Sequence, residues 1–284
     1  MIYGSVKKWK KLVKSKLKQL LLWYDRKFFQ FGPTELETVL VGLGIKSGDN
    51  LFVHSSFDAF KGFIGKPTDI IQILQKLVGL KGVIMMPTMA FTGTAVEFAI
   101  NNPVVDIKRV QSCMGLVTEL FRRFPGVVRS AHPTHPIAVW GEDAPQIVAD
   151  HHRASTPCGV PSPLQKLLER DGKILLLGTG FEVLTFYHTV EEILERKLPE
   201  SPFTERFFAL QVKDQNGEVW NCMTRLFEPA MSRRRRLFRV REELKLMNAL
   251  GECRVGKLHI QVLSALDVLK AVQQLLDRGI SCYE

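Results

Sequence analysis

Two residues in the segment FYHTVEEILERK are placed to move a proton together. His188 and Glu191 are three positions apart, so on a helix they share one face, with Glu192 a further position around. A carboxylate there can orient the imidazole and raise its basicity, the usual arrangement of a general base. The same spacing also occurs on a solvated surface helix. A second cluster lies in RSAHPTHPIAVWG, Arg129 to Gly141, where His132 and His135 follow an arginine and Ser130. Pro133 and Pro136 forbid a helical backbone, so these two rings do not share a helical face and should point differently. Arg129 and Ser130 supply donors suited to an anion or an amide, although a proline-stiffened structural turn fits the segment equally well. Nucleophilic catalysis through a cysteine is the competing chemistry, with Cys113 and Cys158 as nucleophiles, but neither has an adjacent histidine. His151 and His152 could join His188 and Glu191 on a metal. The chain has no HExxH and no cysteine cluster, so no metal is expected.

These groups must be carried by an alternating α/β scaffold. Thr34 and Glu37 read as a capping box opening a helix that stops near Gly44, and Thr68 reads as the N-cap of the helix in KPTDIIQILQKLVG. LFVHSS, VIMMPT, IAVWG and KILLLGTG read as buried strands between helix-like MGLVTELFRRF, SPLQKLLER and FYHTVEEILERK. That order predicts an α/β fold with a central mixed sheet flanked by helices. Ligands of such sheets sit at the carboxyl ends of strands, which is where His54-Ser55-Ser56, Thr88 and Gly178-Thr179-Gly180 fall. Beyond Pro199, RFFALQVKD and EVWNCMTRL flank Gln215-Asn216-Gly217 as a hairpin. A basic helix from about Ser232 to Leu250 follows, then a short segment RVGKLHIQVL and a helix from Ser264 to Leu276. The expected organisation is a basic amphipathic helix over 1–31, then one domain over 32–284 with a smaller β/α subdomain inserted at about 200–263.

Composition narrows the setting. With 284 residues and 45% apolar content the chain can bury a large core. Five widely spaced cysteines suggest neither a disulfide framework nor a zinc ribbon, and no apolar run reaches the length of a membrane span, so a cytoplasmic protein is expected. The net charge of +10 is concentrated in seven lysines between Lys7 and Lys18 and in Arg233 to Arg236, which favours anionic partners. Trp9, Leu12, Val13, Leu17, Leu20, Leu21, Tyr24 and Phe28 recur at three- and four-residue spacing beside the lysines. That stripe either docks on the protein's own body or attaches residues 1–30 to an anionic membrane surface at its inner face. A nucleic-acid binder and a catalytically silent scaffold of a membrane assembly complex are the non-enzyme alternatives. Nucleic acid is the less favoured, and oligomeric state is not readable.

Taken together, LFVHSS, VIMMPT, MGLVTELFRRFPGVVRSAHPTHPIAVWG, SPLQKLLERDGKILLLGTGFEVLTFYHTVEE and the late VGK resemble the aminoglycoside 3-N-acetyltransferase family over roughly residues 32 to 276. The resemblance implies that family's own α/β fold, distinct from the GNAT acetyltransferases, and transfer of an acetyl group from acetyl-coenzyme A to an amine of an amino sugar. It implies that His188 and Glu191 are catalytic and that Arg129, Ser130 and His132 line the same cleft. It further implies that the His54-Ser55-Ser56 loop and Thr88 contact coenzyme A. On this reading the cofactor set is His54, Ser55, Ser56, Thr88, Arg129 and Ser130. Thr185 and Glu192 contact the acceptor, and His132 and His135 assist His188. Backbone N–H groups of the Ser55-Ser56 loop would hold the oxyanion. One departure is that Leu184, not asparagine, precedes Thr185. Because 39 basic residues outnumber 29 acidic ones, an anionic acceptor is expected: a nucleotide- or lipid-linked amino sugar of cell-surface polysaccharide assembly, with aminoglycoside acetylation second.

Overall fold

The computed structural model describes residues 2–283, with part of the side chains in the first helix outside the description. Helices α1 (Ile2–Phe28) and α2 (Pro33–Gly42) precede β1 (Asn50–Ser55), α3 (Pro67–Val78) and β2 (Val83–Pro87). The chain continues through α4 (Ala95–Asn101), β3 (Val104–Asp106), α5 (Leu116–Phe121), β4 (Val128–Arg129) and β5 (Ile137–Trp140). Next come α6 (Ala144–Val148), α7 (Pro163–Glu169), β6 (Lys173–Leu177) and α8 (Tyr187–Ile193). The last third holds β7 (Phe208–Lys213), β8 (Val219–Thr224), α9 (Pro229–Arg234), α10 (Phe238–Leu246), β9 (Leu250–Val255), β10 (Leu258–Ser264) and α11 (Ala265–Asp277).

Seven strands form the main sheet in the order β4-β5-β2-β1-β6-β10-β9. β1 runs parallel to both β2 and β6, and the outer pairings are antiparallel, giving the expected mixed sheet. The central strands read as continuous apolar runs because both faces are covered. Alternate residues go to opposite layers. Phe52, Ile174 and Leu176 pack with residues of α7, α8, α10 and α11, while Leu51, Val53, Leu175 and Leu177 pack with α2, α3 and α5. A second sheet, β3-β7-β8, pairs the hairpin with a strand from far upstream, and α4 packs on it through Ala95 and Ala99.

Several local expectations need correction. The first cap is two residues earlier than expected: Gly32, not Thr34, is the N-cap, Pro33 opens the helix, and Glu35 accepts from the Gly32 N–H at 3.0 Å. At the next helix Lys66 takes the cap position ahead of Pro67, and Asp69 accepts from its N–H at 2.8 Å, so Thr68 lies inside the first turn. Both shifts have one cause, since proline fits the first helical position and moves the start ahead of the hydroxyl. The helix expected over Ser232 to Leu250 is broken at Arg235, which is extended. RVGKLHIQVL turns out to be part of a hairpin, β9 and β10, that closes one edge of the main sheet, so this portion of 200–263 lies outside the small sheet.

Candidate active site

The carboxyl ends of β1, β2 and β6 open onto one cleft of about 540 Å³, where an open α/β sheet presents its ligand site. His54, Ser55 and Ser56 come from the end of β1, Pro87 and Met89 from the end of β2, and Thr179 follows β6. Gly115 caps α5 at φ +105, a conformation that glycine tolerates, and a Cβ there would lie 3.2 Å from the Ser55 carbonyl. The unpartnered polar atoms of this region are informative. His54 Nε2 and the hydroxyls of Ser55, Thr118 and Thr179 are buried without a protein hydrogen-bond partner, and all four residues line this cleft. Buried polar groups are seldom left so, and their concentration around one concavity is what a polar ligand site requires. Burial pushes the His54 imidazole down to about 3, so it is neutral there.

His188 and Glu191 meet as their spacing predicts. His188 Nδ1 lies 2.6 Å from Glu191 Oε2, and His188 lines the cleft while the Glu191 side chain is fully buried. An ionised carboxylate only accepts, so Nδ1 carries the proton and Nε2 keeps its lone pair. Glu191 is held in turn by Arg235, whose Nε donates to Oε1 at 3.0 Å, and by the Tyr283 hydroxyl, which donates to the same oxygen. This explains the break between α9 and α10: Arg235 leaves helical geometry to reach α8. Phe227 lies against the imidazole, centroids 3.8 Å apart. Burial and the Arg235 charge hold the His188 pKa below its ordinary 6.5, with Glu191 opposing. The ring is therefore neutral near pH 7 and able to accept a proton.

The Arg129 to Gly141 segment forms a buried polar scaffold. Arg129, expected at the cofactor, spends its guanidinium on the protein: it donates to the Thr88 hydroxyl at 2.8 Å and to the carbonyls of Thr88, Ile107 and Val110. Thr88 is fully buried and its hydroxyl donates to the Pro136 carbonyl at 2.7 Å. Ser130 Oγ accepts from the Ile137 N–H and faces His151 Nδ1 at 2.8 Å. These three residues tie the loop to β2 and to the preceding β3 region, and none of them lines the cleft. His132 stacks on His151 at 4.7 Å and accepts the His135 N–H on Nδ1, while His135 stands 6.2 Å from His188 with its plane nearly perpendicular. The His132 and His135 rings lie 71° apart, pointing differently as the prolines imply. Burial pushes both pKa values well down. His135 therefore borders the reactive ring and His132 stands behind it.

Other expected site residues divide likewise. Thr185 lines the cleft, and its hydroxyl donates to the Val183 carbonyl at 3.3 Å. Leu184, where the family shows an asparagine, also lines the cleft but is buried in the core. Glu192 does not line it; it points toward Gly159, and one of its oxygens is buried without a partner. The Ser56 N–H is committed to the Leu177 carbonyl at 3.0 Å and is not available to an oxyanion. Cys158 is buried with its thiol pushed well up by burial and by Glu192, whereas Cys113 lines the cleft. His152 stacks on Trp220 at 4.3 Å. Among the described residues no group of three or more His, Cys, Asp or Glu is placed to hold a metal. Sequence reasoning missed Arg235 and Tyr283, which act from more than forty residues downstream of Glu191.

Burial, then repulsion from Glu195, raises the Glu192 pKa from 4.5 to about 7, against the opposing Arg225. A raised pKa means the folded state binds the extra proton. The stability gained is complete below the unfolded value and is lost as pH rises through the folded one. Thermal melts of the wild type should therefore fall between about pH 5 and 8, and Glu192→Gln should flatten that limb. A slope that survives the substitution would assign it elsewhere.

The chain matches the family profile described as aminoglycoside 3-N-acetyltransferase over residues 52–277. Aminoglycoside N(3)-acetyltransferase VII of Streptomyces paromomycinus is 32% identical over 177 residues, covering 57% of this chain and 60% of that protein. Aminoglycoside N(3)-acetyltransferase IV of Salmonella sp. is 32% identical over 171 residues, covering 60% and 62%. The chain thus aligns with less than two thirds of the length of these curated relatives. The crystal structure of the aminoglycoside acetyltransferase AAC(3)-Xa superposes with a TM-score of 0.77 at 21% identity, covering 92% of this chain and 98% of that one. At that identity the likeness speaks for the fold.

Proposed function

The chain belongs to the aminoglycoside 3-N-acetyltransferase family, and from that membership we propose that it transfers the acetyl group of acetyl-coenzyme A to an amine of an aminoglycoside. The acceptor expected from net charge, a nucleotide- or lipid-linked sugar of polysaccharide assembly, finds no support in relatives named for aminoglycosides. The observation that carries the reading is the place of His188 between two openings. It lines both the 540 Å³ cleft and a second one of about 170 Å³, which also takes in His135, Phe91 and Phe227.

The spaces beside these openings differ in charge. The first shares Thr179, Glu182, Arg235 and Leu237 with an adjoining cleft of about 900 Å³ whose lining adds Arg236, Arg241, Arg254 and Lys257. Those cations suit the phosphates of coenzyme A, and the unpartnered hydroxyls of Ser55, Thr118 and Thr179 suit the amides of its pantetheine arm. The second opening shares Pro229 with a groove of about 700 Å³ whose charged lining is Glu205, Arg206 and Glu228, two carboxylates of the kind a polycationic acceptor needs beside one guanidinium. Much of the basic excess lies in the seven lysines between Lys7 and Lys18, of which the described Lys14 and Lys16 line neither opening, so the overall charge does not describe the acceptor side.

The proposed chemistry is direct transfer. His188 Nε2 takes a proton as the acceptor amine attacks the thioester carbonyl; the C–N bond forms, the C–S bond breaks and the thiolate leaves. Glu191, Arg235 and Tyr283 are positioning residues for that ring. A panel of aminoglycosides and nucleotide-linked amino sugars, each assayed for thiol release from acetyl-coenzyme A, tests the reading. Release dependent on an aminoglycoside is expected; release with the nucleotide-linked sugars alone would reverse the acceptor assignment.

A further inference from the structure

We propose that α1 is a docking element for an anionic lipid bilayer, a role separate from acetyl transfer. The body of the protein does not cover its apolar stripe. Trp9, Val13, Leu17, Leu20, Leu21, Trp23, Tyr24 and Phe28 are each 43 to 68% exposed, and among the described side chains of α1 Asp25 alone is buried. Docking of the stripe on the body is thereby set aside for these residues; Leu12 and the lysines at 7, 8, 10, 11 and 18 lie outside the described side chains. The described Lys14 and Lys16 are exposed, and no acidic residue precedes Asp25 in the sequence.

The helix is nevertheless fixed to the domain at its far end. Asp25 pairs with Lys257, and the Phe29 carbonyl lies against Gly62 and Gly256, where a Cβ would collide with it. Lys257 also lines the cationic cleft, so α1 leaves the body at the mouth of that cleft. An exposed apolar stripe that carries aromatic residues, in a lysine-rich sequence with no acidic residue before Asp25, matches an interfacial helix. Charge decides the occupant: stripe-to-stripe pairing of two copies would bring two lysine-rich helices together, whereas anionic headgroups complement them. Among the described residues no helix is long and apolar enough to cross a membrane, which leaves α1 lying along the surface.

The test is sedimentation of the full chain with vesicles of phosphatidylcholine alone and of phosphatidylcholine with phosphatidylglycerol, at low and high salt. Binding to the anionic vesicles that weakens with salt is expected. It should fall at least about 10-fold in Leu17→Glu/Leu20→Glu and in Lys14→Glu/Lys16→Glu. Both pairs are exposed, so thermal melting should match the wild type. Absence of binding to anionic vesicles would overturn the proposal, as would binding that both variants retain. So would a wild-type dimer in analytical ultracentrifugation that Leu17→Glu/Leu20→Glu dissociates while no variant or wild type binds lipid.

Discussion

Replacing His188 with alanine should lower kcat/KM for acetyl transfer by about 10²- to 10⁴-fold, the usual worth of a positioned general base. The fold should survive, because the ring is held at one edge by Glu191 and at its face by Phe227 and is not a core side chain. The pH profile gives a second readout. The neutral ring is the active form, and its pKa lies below the ordinary 6.5 because burial and Arg235 outweigh Glu191. The acid limb of kcat/KM in the wild type should therefore fall below pH 6.5, with a plateau through neutrality, and should vanish in His188→Ala. Cys158 offers no substitute, because burial pushes its thiol pKa well up.

The second large effect is expected at Glu191→Gln, at least about 10²-fold in kcat/KM, through tautomer control. Oε1 accepts from Arg235 Nε at 3.0 Å and from Tyr283, while Oε2 accepts from His188 Nδ1 at 2.6 Å and from Arg235 Nη2 at 3.4 Å. A glutamine does best to leave its oxygen toward the nearer Arg235 donor and Tyr283, so its amide nitrogen faces His188. That nitrogen donates to Nδ1, the ring's proton moves to Nε2, and the lone pair that should receive the amine proton is gone. Glu191→Ala acts differently. It strips the partner from Arg235, which is partly buried, and should cost about 3–5 kcal/mol of stability. A Gln variant with wild-type melting and lost turnover, beside an Ala variant that melts early, would separate positioning from folding. Equal turnover in wild type and Glu191→Gln would remove Glu191 from the mechanism.

The His188 and Glu191 pair was readable because it is local: three residues on one helix fix the geometry whatever surrounds it. The central strands were readable for a similar reason, as unbroken apolar runs such as ILLL at 174–177 fit a strand covered on both faces. Arg129, Thr88 and Ser130 were legible as polar residues near strand ends, and for the Arg129 to Gly141 segment a ligand site and a structural turn fitted equally well. Whether a guanidinium meets a ligand or four protein acceptors depends on where the Ile107 and Val110 carbonyls come to lie, which spacing does not encode. Glu192 failed for the converse reason, since one step along α8 carries a side chain from the cleft side to the Gly159 side. Arg235 sat in a run of four arginines that read as one basic helix face, and its role appears once Tyr283 and α8 converge on it. The net charge is a poor guide to the acceptor because a whole-chain sum is dominated by the lysines between Lys7 and Lys18 and averages spaces as different as the arginine-rich cleft and the groove lined by Glu205, Arg206 and Glu228.

The most direct measurement is to incubate the purified chain with acetyl-coenzyme A and an aminoglycoside and to identify the product by mass spectrometry and NMR. The account predicts a single acetyl group on an amine of the antibiotic, formed by the wild type and lost with His188→Ala. An unmodified antibiotic, from a protein that binds both acetyl-coenzyme A and the aminoglycoside, would contradict it.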